Sequence, residues 1–239
     1  MKTCVLYVVF IVSLAIPNLL NGQAPVAKEL QNLFQAYQGK QNLSFEAKYK
    51  YFPDLISKKA TDSLTSKTVL AGESYYFKIG DYEFMGDGNY SLFADYENKQ
   101  IVLGELNENE TKKRRLGFIQ NILESSGSEI SSFSPGNNLK GLKFEYKNQQ
   151  IAKVEIVYDP TTYFISKCTI HYLEDTDAKT GRPMFSRLEI TYFNFESSGN
   201  QVPASYRLNK VLSYDKKNVF IVQSYKNFEF VNLTHLKNS

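Results

Sequence analysis

Residues 153–175 read KVEIVYDPTTYFISKCTIHYLED. Val154, Ile156 and Tyr158 alternate with Lys153, Glu155 and Val157, the period of a strand with one buried side. Further along, Phe164, Cys168, Ile170 and Tyr172 share one parity, and Lys167, Thr169, His171 and Leu173 share the other. A thiol three residues before an imidazole invites a nucleophile–base reading. In a strand, however, such positions point to opposite faces, with α-carbons roughly 10 Å apart. A nucleophile and its base must approach to about 3.2 Å. The stretch therefore predicts a buried, inert Cys168 and an exposed His171 on the other side, not a dyad.

The same alternation recurs on both sides of this stretch. In LSFEAKYKY (43–51), Leu43, Phe45, Ala47, Tyr49 and Tyr51 alternate with polar residues. Tyr75, Phe77 and Ile79 follow, then short runs at 82–85, 89–96 and 100–106 separated by GDGN and ENK, both good turn sequences. Leu142, Phe144 and Tyr146 continue the pattern, as do Leu188, Ile190 and Tyr192. YRLNKVL (206–212) and VFIVQSY (219–225) are read as closing strands. Turns about every 8–12 residues predict an antiparallel meander.

Two segments carry a helical period instead. APVAKELQNLFQAYQ (24–38) places Ala27, Leu30, Leu33, Phe34 and Tyr37 on one stripe and ends before Gly39. TKKRRLGFIQNILESSG (111–127) places Leu116, Ile119, Ile122 and Leu123 together and ends at Gly127. The expected fold is thus mainly β with a few helices, an α+β chain built on a curved antiparallel sheet. Two short helices mask only part of such a sheet, so an aromatic-lined cavity or a partner patch is expected to take the rest.

Composition agrees. Tyr and Phe number 17 each with no Trp, a choice of aromatics that suits half-buried pleated surfaces. The net charge of +3 is too small to point to nucleic acid. Lys2 followed by CVLYVVFIVSLAI (4–16) and Pro17 reads as a signal peptide over residues 1–22, with Gln23–Ser239 as a single mature domain. Cys4 leaves with that leader, and Cys168 alone cannot form an internal disulfide, so stability must come from the core.

Catalytic and metal signals are missing from the sequence. Two separate histidines, His171 and His235, and one cysteine build no zinc site. No G-x-S-x-G, H-E-x-x-H or P-loop occurs. EDTDAKTG (174–181) lacks the glycine and glutamate placement of a calcium loop and reads as a hairpin loop. The basic run Lys112–Arg115 could meet anionic headgroups or an acidic partner, or simply be a solvated helix start.

VEIVYDPTTYFISKCTIHY (154–172), RLEITYFNFE (187–196) and VPASY (202–206), with a leader and a helix–strands–helix–strands order, resemble the LolA-like superfamily of periplasmic lipoprotein carriers. The NG-QA junction and the Tyr, Asn and Lys usage are similar to those of Bacteroidetes secreted proteins. The resemblance implies an open half-barrel closed by helices around an apolar cavity that accepts acyl chains. It implies a non-enzymatic, cofactor-free monomer of the Gram-negative envelope, periplasmic or secreted, with a lipid, acyl chain or lipoprotein anchor as partner and no nucleic acid. The expected cavity lining is Phe45, Tyr49, Phe77, Phe144, Tyr146, Ile156, Tyr158, Ile170, Tyr172, Ile190 and Tyr192. The family's lid-holding arginine has no counterpart in the first strand, which offers Lys48 and Lys50. An envelope interaction module with a packed interior is the alternative.

Overall fold

The computed structural model describes residues 24–38, 42–106, 129–146, 150–176, 183–197, 203, 206–214, 218–235 and 237–238. The expected leader and the expected helix at 111–127, with its Lys112–Arg115 run, lie outside the described residues. The chain groups into two compact units. One comprises Met1–Gly39, Ala47–Leu64 and Lys112–Phe193; the other comprises Lys40–Glu46, Thr65–Thr111 and Asn194–Ser239.

The first unit holds helix α1 (Ala24–Gln38) and strands β1 (Asn42–Phe52), β7 (Glu129–Gly136), β8 (Leu139–Glu145), β9 (Ile151–Tyr158), β10 (Ile165–Thr176) and β11 (Pro183–Glu196), β1 and β11 from Ala47 and up to Phe193 respectively. Their order is β1-β11-β10-β9-β8-β7, and this run does not close on itself. The register stacks Leu142, Ile156, Cys168 and Ile190 in one row and Phe144, Val154, Ile170 and Leu188 in the next. Every one of these eight is buried, so the alternation read from sequence is an actual apolar face. Opposite Gly141, β7 carries Phe133, whose ring occupies the space a β-carbon would need. An edge strand keeps its packing here by laying an aromatic across a glycine. β7 has too few apolar residues to show as a strand in sequence, since only Ile130 and Phe133 are half-buried.

The second unit holds β2 (Asp62–Ala71, from Thr65), β3 (Ser74–Ile79), β4 (Tyr82–Gly86), β5 (Tyr90–Asp95), β6 (Gln100–Glu105) and β14 (Glu229–Asn232). They lie side by side in the order β2-β3-β4-β5-β6-β14. The turns expected at GDGN and ENK are present, with Gly88 and Lys99 at positive φ, and a further turn before β4 has Gly80 at positive φ. β2 escapes an apolar alternation template because Ser66 and Thr68 occupy its buried positions. One side packs Val69, Tyr76, Met85, Leu92 and Leu103 against Leu208, Val211, Leu212, Val219 and Tyr225 from the C-terminal segment.

That segment corrects the meander expectation. Leu208–Lys210 and Gln223–Tyr225 are 3-10 turns, while β12 (Leu212–Tyr214), β13 (Asn218–Ile221) and β15 (Lys237–Asn238) form a separate small sheet. Leu208, Val211 and Leu212 are spaced i, i+3, i+4, which turns all three inward as a strand could not. β14 joins β6 in parallel, not antiparallel.

Candidate functional site

The apolar face of the first unit is met by α1. Leu30 and Leu33 are buried, and around them the helix carries polar groups that grip the sheet. Glu29 accepts a hydrogen bond from Tyr158 Oη at 2.8 Å and pairs with Lys140 Nζ at 2.6 Å. Asn32 donates to Tyr163 Oη at 2.9 Å, and the Ile165 amide donates to Tyr37 Oη at 2.9 Å. Burial pushes Glu29 up, but the Lys140 and Tyr158 contacts outweigh it and leave the carboxyl below its ordinary range. Desolvation raises the Tyr37 hydroxyl, with the Ile165 amide opposing. Among the described side chains, α1 thus sets two buried leucines and the Tyr37 ring, 5.6 Å from that of Phe164, inside a polar perimeter.

Of the eleven expected lining residues, Tyr49, Phe144, Ile156, Tyr158, Ile170 and Ile190 are buried in this unit, and Tyr146, Tyr172 and Tyr192 are half-buried. Ile156, Tyr158, Phe144, Ile170 and Ile190 lie on the face that α1 meets, through the register and the Tyr158–Glu29 contact. Tyr192 lies near Cys168, Tyr49 and Tyr37, and burial raises its hydroxyl well above its ordinary value.

Phe45 and Phe77 belong to the second unit. Phe77 is buried and heads a ladder of rings through Phe84 and Phe93, with centroids 5.9 Å and 4.9 Å apart. Phe45 stacks on Phe195 at 5.5 Å. Asn194, just before Phe195 in β11, has a positive φ of 54°. Thr68, paired with Phe77 across β2 and β3, is buried, and its Oγ1 has no hydrogen-bond partner among the described residues. Lys67 pairs with Glu46 and lies over the Tyr206 ring, so Phe45, Thr68 and Phe77 face away from the C-terminal layer.

Cys168 is buried beside Ile156 and Ile190, and desolvation pushes its thiol up to about 12, which makes it inert. His171 lies on the opposite face, as expected, but it is not exposed: its side chain is 12% accessible. It is held at 3.2 Å from Glu155 between cross-strand neighbours Lys153 and Arg187. Burial and Lys153 lower its pKa against the pull of Glu155. The reason lies in the loop 53–61, which folds over this side. Arg187 lies 3.8 Å over the Phe52 ring and donates to the Asp54 and Ser57 carbonyls at 2.7 Å each.

A second cluster carries no motif in the sequence. Glu83 is buried in the second unit and accepts from Tyr96 Oη at 2.8 Å, Tyr76 Oη at 3.0 Å and Lys210 Nζ at 3.0 Å. Burial pushes its pKa up, yet the Tyr96, Lys210 and Tyr76 contacts prevail and hold it low. Its one signal in sequence is parity, since Glu83 shares a side with Met85. No group of residues with metal-ligand geometry occurs among the described residues.

No family model matches the chain, and no curated protein does. Solved structures do resemble it. An uncharacterized conserved protein from Thermus thermophilus aligns over 87% of this chain and 98% of its own, at 9% identity and a TM-score of 0.48. A LolA superfamily protein from Nitrosomonas europaea aligns over 77% and 98%, at 9% identity and a TM-score of 0.36. The MucA/MucB complex of Pseudomonas aeruginosa aligns over 77% of this chain and 61% of the matched one, at 12% identity and a TM-score of 0.45.

Proposed function

We propose that this chain is a non-enzymatic envelope protein that shelters a lipid, an acyl chain or a lipoprotein anchor against the apolar face of its sheet. The observation that carries the reading is the seating of α1. Among the described side chains, its contacts with the sheet comprise two buried leucines, the Tyr37 ring against Phe164 and hydrogen bonds at the rim. Rim hydrogen bonds exchange with water at a net cost of about 0.5–1.5 kcal/mol each. Exposing a leucine costs about 1.5–3 kcal/mol. An acyl chain contributes about 0.8 kcal/mol for each buried methylene, so a long chain outweighs what the helix loses on moving aside.

Native mass spectrometry of protein purified from a membrane-containing host should show co-purified lipid. Leu33→Ala, which loosens the plug, should raise uptake of a fluorescent fatty acid. Protein that emerges lipid-free and takes up no fatty acid, with or without the substitution, sinks the proposal. The alternative is an interaction module with a packed interior. It draws on the near-complete burial of Phe144, Ile156, Ile170 and Ile190, and it expects Leu33→Ala to cost stability with no gain in uptake.

A further inference from the structure

The loop between β1 and β2 is built in an unusual way for a solvent loop. Asp54 Oδ1 accepts from the Ile56 and Ser57 amides at 2.8 and 2.6 Å, and Oδ2 accepts from Ser57 Oγ at 2.5 Å. The Thr61 amide donates to the Tyr51 carbonyl at 2.9 Å and closes the base. Arg187 adds its two bonds to the Asp54 and Ser57 carbonyls and its ring contact to Phe52, while its Nε is held by Glu189 at 2.9 Å. All this bonding fixes a crest on which Leu55 is 45% exposed and Ile56 is 89% exposed. Single apolar residues on a surface need no explanation. Two adjacent aliphatic side chains held outward by a clamped backbone do.

The charges around the crest identify what it meets. Lys58 and Lys59 follow it directly and are exposed, as are Lys48 and Lys50 on β1. The acids nearby are mostly engaged: Asp54 by its own loop, Glu189 by Arg187 and Lys167, leaving Asp62 at the far end. We infer that the Leu55–Ile56 crest with Lys58 and Lys59 is a docking point for an anionic lipid surface, the aliphatic pair entering the headgroup layer and the lysines meeting phosphates. Two side chains and a few lysines cover far less than the roughly 1,200 Å² that a stable protein–protein contact requires. A bilayer sets no such minimum, and its charge complements the lysines. This inference does not rest on a sheltered ligand; the loop and the α1 face are separate parts of the first unit.

The full chain carrying Cys4→Ser and Ile56→Cys, labelled at position 56 with a polarity-sensitive fluorophore, tests it. Cys168 is buried and stays unlabelled. Vesicles with about a third phosphatidylglycerol should shift the emission to the blue, and brominated lipid should quench it; pure phosphatidylcholine should do neither at the same lipid concentration. Lys58→Ser with Lys59→Ser should raise the lipid needed by on the order of tenfold. In unlabelled protein, Leu55→Ser with Ile56→Ser should reduce vesicle co-sedimentation, with thermal unfolding unchanged because both residues are exposed. No shift on anionic vesicles overturns the inference, as does a shift indifferent to the lysines. A shift that follows protein concentration without lipid overturns it in favour of self-association.

Discussion

Replacing Glu83 by Gln keeps the side chain's volume and removes its charge. The native carboxylate accepts from two tyrosine hydroxyls and from Lys210, and it is 2% exposed, so water cannot take over these contacts. Gln offers one acceptor oxygen and turns an NH2 group towards remaining donors. Hydrogen bonds to a charged group contribute about 1.5–3 kcal/mol. Lys210, with 31% of its side chain exposed, regains some hydration, and Tyr96 keeps its 3.0 Å contact with Tyr225. The net loss should be about 2–3 kcal/mol at neutral pH. Urea unfolding should show it as a lower midpoint at unchanged slope, and the second unit should be the part affected. The folded pKa of Glu83 is lowered, so its stabilisation is present above the ordinary carboxylate value and fades as pH falls through the folded one. The gap between native protein and Glu83→Gln should therefore narrow in acid. A difference below about 0.5 kcal/mol at pH 7, or one that persists undiminished in acid, refutes the reasoning.

Thr68→Val should raise stability by about 1 kcal/mol in the same denaturation assay, because a buried hydroxyl without a partner among the described residues gives way to a methyl of equal shape; a loss there means the hydroxyl is bonded. Cys168 should resist thiol reagents in the native Cys4→Ser protein up to alkaline pH and react on unfolding, and native-state labelling at pH 8 contradicts its burial. Arg187→Lys should loosen the crest, since an ammonium cannot span both carbonyls and cover the Phe52 ring; limited proteolysis should begin within 53–61. Acid should destabilise the first unit through His171 as well as Glu155: the lowered pKa of His171 means the unfolded chain binds its proton first as pH falls below the usual imidazole range. His171→Gln should flatten the pH dependence of its unfolding between about pH 5 and 7.

Much of the strand framework was legible because one physical signal, alternation with period two, is strong wherever a strand buries aliphatic and aromatic residues on one side. Cys168, Ile170, Leu188 and Ile190 are cases in point. The signal failed where burial was carried by other chemistry. β2 buries Ser66 and Thr68, which read as polar, and β7 is an edge whose packing rests on one ring over one glycine. The C-terminal segment was half legible: Val219–Ile221 is a strand as expected, but Leu208 and Val211, dense enough with Leu212 to imitate one, serve a 3-10 turn through their i, i+3, i+4 spacing.

The side-chain clusters were less legible because the parts of each are far apart in the chain. Arg187 clamps a loop 130 or more residues away, and Lys210 reaches Glu83 across 127. No local pattern marks either partner, although each carboxylate or guanidinium sits at a parity that forces it to find one. The expected lining residues show the converse limit. Transfer from water stabilises Phe144 or Ile170 equally against a helix and against an acyl chain. What separates a core from a cage is therefore the covering element, and among the described side chains α1 covers its face with two leucines, the Tyr37 ring and a rim of exchangeable hydrogen bonds. The discriminating positions are Glu29, Asn32, Leu33 and Tyr37, not the aromatic stripe beneath them.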